Sequence, residues 1–225
     1  MEECALTPFY EGGAIFECDL RNYVFRGVQN SKTRANCWKM LLKSYPLNPK
    51  QWESQRKKNV AMYQEFVNEF VCSTNTHCGK SNCSSVPSPI DTSWKRTSDY
   101  RIEDECKDNN ESKWSRDFGD SDIREIIWKD VERTYSDSSF FHEHNRQVLA
   151  RLLFVFGKLN GGLQYVQGMN ELIAPLLYVF AEAEGELDKE VSIEVEADTF
   201  FAFNNLMSET RDLFLRQMDS TSSGL

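Results

Sequence analysis

Apolar residues recur every three or four positions in several long stretches of this chain, which is the spacing of one face of an α-helix. This pattern predicts helices over residues 31–44, 52–70, 121–135, 142–159, 168–181 and 196–218. No stretch predicts a β-strand, and no internal repeat is visible. The fold class expected from the pattern is therefore all-α.

Residues that favour helix ends lie at several of these boundaries. Ser31 is a candidate N-cap for the first helix, and Pro46 stops that helix. Asn48 reads as an N-cap followed by Pro49 at the first helical position. The run 160–162 (Asn-Gly-Gly) is typical of a helix C-terminus followed by a turn.

The segments outside the helical pattern suggest a simple domain plan. Residues 1–24 form an N-terminal segment without a clear period, and Phe25–Gly27 predict a turn before the first helix. Residues 73–113 are rich in Ser, Thr, Asn and Asp and predict a flexible insertion. A helical domain is expected over 25–218, followed by a tail at 219–225.

Composition and charge exclude several classes of function. Hydrophobic residues make up 40% of the 225-residue chain, enough for a core, and the formal net charge is −9 without a basic stripe for nucleic acid. The best apolar run, Leu172–Ala181, is too short to span a membrane and contains Pro175. Because the first residues resemble no secretory signal, we expect a cytoplasmic protein.

Cysteine and histidine patterns offer only weak alternatives. The seven cysteines are spaced irregularly and are expected to be reduced thiols. Zinc binding by Cys72, His77, Cys78 and Cys83 stays open as an alternative, although the first gap departs from the usual spacing and we predict no metal site. An unrelated helical enzyme is disfavoured because residues 142–144 (His-Glu-His) do not form His-Glu-x-x-His and no phosphate-binding loop is present.

One candidate site lies in the predicted helix over 121–135. Ile127 and Val131 face the core, whereas Arg133 lies off that face with Asp130 one turn before it. The carboxylate at this position can hold the stem of the arginine and leave its tip free. An ordinary exposed ion pair within the helix is the alternative.

A second candidate site lies at the start of the predicted helix over 168–181. Gln167 stands where a loop meets the helix, so its side chain can project beside unpaired backbone N–H groups. Gly168 permits close approach of another backbone. A helix-start arrangement without function is the alternative.

These stretches together resemble the TBC family of Rab GTPase-activating proteins. The family's Ile-x-x-Asp-x-x-Arg signature is matched at 127–133, and its Tyr-x-Gln-Gly signature is matched at 165–168. Its Arg-x-x-x-Trp element is matched by Arg34 and Trp38, in the family's order. Residues 196–201 and the region of Trp114 further resemble the member-13 type of this family.

The resemblance implies a TBC-type multi-helix domain with an N-terminal lobe and an incomplete C-terminal lobe. It implies a GTPase activator rather than an enzyme with its own substrate, which acts on a Rab-family GTPase in the GTP-bound state and regulates vesicle trafficking. By this analogy Arg133 is an arginine finger and Gln167 a glutamine finger, while GTP and Mg²⁺ are bound by the partner. No cofactor of its own is expected.

Five further residues take supporting roles in this analogy: Asp130, Tyr165, Gly168, Arg34 and Trp38. Asp130 would orient the arginine, and the last two would tie the first helix to the site. The alternative is a catalytically inactive Rab-binding scaffold, because the family's second lobe is not matched in full. Membrane contact is expected to be peripheral, on endomembranes and through the Rab.

Overall fold

Helices make up most of the described chain, which in the computed structural model comprises residues 10–11, 14–72, 111–161 and 164–221. The α-helices are α1 (Glu17–Phe25), α2 (Ser31–Leu41), α3 (Trp52–Val67), α4 (Glu111–Arg133), α5 (Glu143–Leu159), α6 (Met169–Glu184) and α7 (Ile193–Thr221). Two-residue strands β1 (Tyr10–Glu11) and β2 (Ala14–Ile15) pair antiparallel ahead of α1. The predicted all-α class is confirmed, although this short ladder was not predicted.

Helix α5 forms the centre of the molecule, with α4, α6 and α7 packed against it. Its middle is nearly continuously apolar, as expected for a helix buried on most sides. Its buried apolar side chains include Val148, Leu149, Leu152, Leu153, Phe154, Val155 and Phe156. Because its neighbours carry the candidate site residues, the buried surface of α5 fixes the positions of the elements that bear the site.

Helix α7 is held to its neighbours by a buried carboxylate as well as by apolar contacts. Glu196 is 1% exposed. Arg151 of α5 donates to both of its oxygens, from Nε and Nη2, at 2.6 Å each. The hydroxyl of Tyr63 in α3 also donates to this carboxylate. Three helices therefore converge on one charged group inside the core.

A second buried carboxylate, Asp198, ties α7 to the N-terminal helices. Lys39 Nζ of α2 lies 2.5 Å from Asp198 Oδ2, and the hydroxyl of Tyr45 donates to Oδ1 at 2.7 Å. Arg56 of α3 lies nearby, with its Nε 3.7 Å from Oδ2. Charge pairing and hydrogen bonds together make burial of this acidic residue tolerable.

The ends of α2 differ from the prediction by a few residues. The N-cap is Asn30 rather than Ser31, and its side chain accepts the N–H of Thr33 at 2.9 Å. The helix ends before the predicted residue 44 because Lys43 takes a left-handed conformation with φ 57°. The next two backbone N–H groups then donate to the carbonyl of Lys39 and close the helix end.

Helix α1 was not predicted, because Leu20 is its only buried residue and one position makes no periodic pattern. Leu20 packs with Cys37 and Met40 of α2. Part of the segment assigned to 1–24 is thus packed on the helical domain. The predicted turn at Phe25–Gly27 is present, with Gly27 at φ +91°.

Other boundaries agree with the prediction to within a few residues, except the start of α4, which lies ten residues before the predicted residue 121. Asn48 caps the turn over Pro49–Gln51 that precedes α3 and accepts the N–H of Lys50 at 3.1 Å. Helix α4 begins at Glu111, inside the predicted insertion, and the remainder of that insertion from residue 73 lies outside the described residues. Helix α7 extends into the predicted tail, of which residues 222–225 also lie outside them.

Candidate functional site

The last turn of α4 and the loop before α6 bring the two candidate stretches together. Ile127 and Val131 are fully buried, as predicted, and anchor α4 on the core. The helix ends at Arg133, directly beside the loop that leads into α6. The site is therefore built from the carboxyl end of one helix and the amino end of another.

Arg133 is an exposed cation anchored at its base by a buried anion. Its side chain is 59% exposed, whereas that of Asp130 is 5% exposed. Arg133 Nη2 donates to Asp130 Oδ1, so the predicted pair is present. The carboxylate therefore binds a terminal nitrogen of the guanidinium. The other guanidinium nitrogens have no partner among the described residues, so donors remain for a ligand.

Tyr165 joins the loop to α4 through the same carboxylate. Its hydroxyl donates to Asp130 Oδ2 at 2.6 Å. Burial, and then the hydrogen bond to Asp130, raise the pKa of the Tyr165 phenol well above its ordinary value. The loop reaches this position by lying against α5 at Gly157, where a Cβ atom would come within 3.4 Å of the Tyr165 nitrogen.

Gln167 and Gly168 occupy the turn between Tyr165 and α6. The Gln167 side chain is exposed and makes no hydrogen bond to the residues that the structure describes. Gly168 is the N-cap of α6, with φ +100°. A Cβ there would meet nothing within 4 Å, so within this chain the glycine is required by its backbone conformation and not by close contact.

Two buried polar residues complete the site, and the sequence prediction assigned no role to either. Asn170 Nδ2 donates to Thr134 Oγ1 at 2.9 Å, which links α6 directly to the end of α4. Asn170 Oδ1 accepts the backbone N–H of Gly168 at 3.2 Å. Thr134 has the helical spacing of a core position, and Asn170 follows the 165–168 signature by two residues, so spacing along the chain indicates no partner for either.

The comparisons with known proteins establish the family of this chain. Residues 31–224 match the sequence model of the Rab-GTPase-TBC domain, which is most of the chain. The chain belongs to the Rab-GTPase-TBC domain family. The predicted resemblance to TBC proteins is thereby confirmed, and the matched residues include both candidate stretches.

Individual relatives of this TBC domain include the member-13 type that the sequence suggested. Mouse TBC1 domain family member 13 is 28% identical over 92% of the chain and 65% of its own length. The Dictyostelium discoideum TBC1 domain family member 5 homolog B is 29% identical over 87% of the chain and 19% of its own length. The chain therefore spans less than two thirds of the length of these curated relatives.

Among solved structures, the Ypt/Rab-GAP domain of Gyp1p is similar to this TBC domain. The TM-score is 0.63 and the sequence identity is 18%, over 92% of this chain and 56% of the other. This likeness shows that the fold is the TBC type. No helix among the described residues is long and apolar enough to cross a membrane.

Arg34 and Trp38 lie in α2, away from the turn that carries Gln167. Arg34 pairs with Glu182 near the end of α6 and donates to the carbonyl of Val28 at 3.2 Å. With a rise of 1.5 Å per residue, Glu182 is about 20 Å along α6 from its first residue. Trp38 packs against the main core. Arg34 of the TBC domain thus ties α2 to α6, but far from the site it was expected to support.

A metal site has no counterpart in the described part of this TBC domain. No group of three His, Cys, Asp or Glu side chains there is placed to hold a metal ion. Three of the alternative zinc ligands, His77, Cys78 and Cys83, lie outside the described residues, as does the side chain of Cys72. Zinc binding by that segment therefore stays an untested alternative to the prediction of no metal site.

Proposed function

We propose that this TBC domain accelerates GTP hydrolysis on a Rab-family GTPase by supplying Arg133 and Gln167 to the partner's nucleotide site. The observation that carries the proposal is their arrangement. Both are exposed, they lie at adjoining helix ends, and buried polar groups connect the segments that bear them. Family membership adds that the domain is of the Rab-GTPase-TBC type.

The chemistry of GTP hydrolysis calls for these two side chains. Negative charge develops on the phosphoryl oxygens in the transition state, and an arginine supplied in trans neutralises it, with an effect of about 10³–10⁵-fold on rate. A glutamine can orient the attacking water. In this proposal Arg133 takes the first role and Gln167 the second. GTP and Mg²⁺ are bound by the partner, and the domain acts as an activator without a cofactor of its own.

The site is preorganised for this role. Asp130 holds one guanidinium nitrogen of Arg133 before any partner arrives, so less side-chain entropy is lost on binding. Gln167 directly precedes the N-cap of α6, and its exposed amide makes no hydrogen bond to the described residues. The remaining guanidinium nitrogens of Arg133 and the amide of Gln167 thus offer hydrogen-bond donors at adjoining helix ends, which suits a polyphosphate in its transition state.

The partner is proposed to be a Rab in its GTP-bound state, since hydrolysis requires the triphosphate. In support of this, mouse TBC1 domain family member 13 is a relative of the chain, and the similar solved structure is the Ypt/Rab-GAP domain of Gyp1p. By inference, the domain works in the cytoplasm on Rabs of endomembranes, reaches the membrane through its partner and regulates vesicle trafficking.

The direct test is single-turnover hydrolysis by a panel of GTP-loaded Rab proteins, with and without this chain. Arg133→Ala should reduce the stimulated rate by about 10³-fold or more, and Gln167→Ala should reduce it severely. Arg21→Ala is the matched control, because Arg21 is also an exposed arginine in an intrahelical ion pair, with Glu17. Circular dichroism verifies that each variant folds.

The two possible failures have different meanings. If Arg133→Ala and Arg21→Ala behave alike on a Rab that the chain stimulates, the assignment of the arginine finger is wrong. If a Rab binds the folded chain but is not stimulated, the alternative function, a binding scaffold without catalysis, replaces the proposal. Binding is measured by titration of each Rab loaded with a non-hydrolysable GTP analogue.

A further inference from the structure

Four residues form a hydrogen-bond network behind the exposed side chains of the site; we refer to Asp130, Thr134, Tyr165 and Asn170 as the site network. The Tyr165 hydroxyl donates to Asp130 Oδ2 at 2.6 Å and lies 3.3 Å from Asn170 Oδ1. Asn170 donates to Thr134 Oγ1 at 2.9 Å, and Thr134 Oγ1 donates to the Asp130 carbonyl at 2.8 Å.

The network brackets both proposed fingers in the chain. Asp130 in the last turn of α4 and Thr134 directly after that helix flank Arg133, whereas Tyr165 in the preceding loop and Asn170 in the first turn of α6 flank Gln167. The Gly168 N–H needs an acceptor, so the Asn170 side chain must turn its oxygen toward Gly168. Its nitrogen then points at Thr134. Each segment is therefore fixed to the other at two points.

We propose that Thr134 and Asn170 are positioning residues that hold Arg133 and Gln167 at a fixed separation for the hydrolysis step. This inference rests on the proposed function and adds to it which buried residues set the geometry. Thr134 is 0% and Asn170 3% exposed, so neither can contact a docked GTPase. Their contribution must then pass through the residues they hold.

Such positioning matters because the fingers lie at helix ends, where backbone groups lack helical partners and the chain frays. The Thr134–Asn170 bond replaces part of the missing restraint. A misplacement of about 1 Å in a reacting group can reduce a rate about 10²-fold. Loss of this one bond is expected to lower turnover while the docking surface stays intact.

The test compares Thr134→Val with Thr199→Val. Both threonines are fully buried, and both hydroxyls donate to the carbonyl four residues earlier at 2.8 Å. In addition, the Thr134 hydroxyl accepts a hydrogen bond from the Asn170 side chain of α6. We expect Thr134→Val to lower kcat at least about tenfold with an unchanged half-saturating Rab concentration. Thr199→Val should keep kcat, and Thr134→Ser, which retains the hydroxyl, should restore most of it.

Amide hydrogen exchange at Gly168 gives a readout that needs no activity. Its N–H bonds to Asn170, so its exchange should accelerate in Thr134→Val and not in Thr199→Val. Equal kcat and equal exchange in the two valine variants would overturn the inference, as would kcat losses that merely follow the stability losses. If the wild-type chain stimulates no Rab, the proposed function fails, and the exchange comparison still decides whether the network couples the two segments.

Discussion

Replacement of Arg151 by methionine should destabilise the protein severely, because it leaves the Glu196 carboxylate buried without its counterion. Two hydrogen bonds of 2.6 Å disappear, and the carboxylate keeps only the Tyr63 hydroxyl. The side chain of Arg151 is 12% exposed and that of Glu196 is 2% exposed, so water cannot replace the lost partner. Methionine retains the apolar stem, which confines the change to charge and hydrogen bonding.

The magnitude follows from the burial of the pair. Removing one partner of a buried ion pair costs about 3–5 kcal/mol. Domains of this size have an unfolding free energy of about 5–15 kcal/mol, so the loss is a large part of the total. Lys57→Met is the matched control: Lys57 pairs with Glu53 on the surface, with side chains 75% and 83% exposed, and the change should stay within about 0.5 kcal/mol.

Urea unfolding followed by circular dichroism measures both variants against the wild type. A triple variant with Arg151→Met, Glu196→Leu and Tyr63→Phe separates the cause, because it removes the orphaned charge and the orphaned hydroxyl together. It should recover much of the lost stability. If Arg151→Met unfolds within about 1 kcal/mol of the wild type, or if the triple variant is less stable than the single one, the reasoning about the orphaned charge is refuted.

Three further predictions address other features. Burial lowers the pKa of His144 from its ordinary 6.5, so the unfolded chain binds the proton more readily than the folded chain. The unfolding free energy of the wild type should therefore fall more steeply below about pH 6.5 than that of His144→Gln. Urea unfolding at several pH values measures both. Gly168→Ala should lower the unfolding free energy by about 1–2 kcal/mol, because φ at this residue is +100°. Gly161 also lies in open space but has no positive φ, so Gly161→Ala should be neutral or slightly stabilising. Equal unfolding midpoints of the two variants would contradict this. Arg34→Ala should leave the stimulated hydrolysis rate within about twofold, because its partner Glu182 lies about 20 Å along α6 from the site, and a larger loss would show coupling over that distance.

The sequence predicted the elements whose apolar positions repeat over several turns. Helices α5, α6 and α7 have many buried positions, and their predicted ranges agree with the structure to within a few residues. Helix α1 was not predicted, because a single buried residue, Leu20, produces no repeating pattern of apolar positions. Boundaries were missed where a local backbone conformation decided the end, as at Lys43, whose left-handed φ has no marker in the sequence.

The candidate site was predictable only where its parts are close in the chain. The Asp130–Arg133 contact follows from helical spacing and is present, whereas the catalytic roles of Arg133 and Gln167 stay predictions until they are assayed. The Thr134–Asn170 bond joins residues 36 positions apart and depends on how α4 and α6 pack. Likewise, a glutamate is usually exposed to solvent, and the sequence gives no sign that Glu196 is buried by the packing of three helices.

The depth of α5 gives loss-of-function substitutions in this protein two distinct cellular consequences. A change at Leu152 or Phe156 opens the core, where removal of a large side chain costs about 2–5 kcal/mol, and so lowers the abundance of folded protein through quality control. A change at Arg133, whose side chain is 59% exposed, opens no cavity in the core, although it removes the cation that is paired with the buried Asp130. In a cell with one altered allele, the first kind would act as a reduced dose. Under the proposed function, the second kind would yield folded but inactive copies that compete with the normal ones for the same partner.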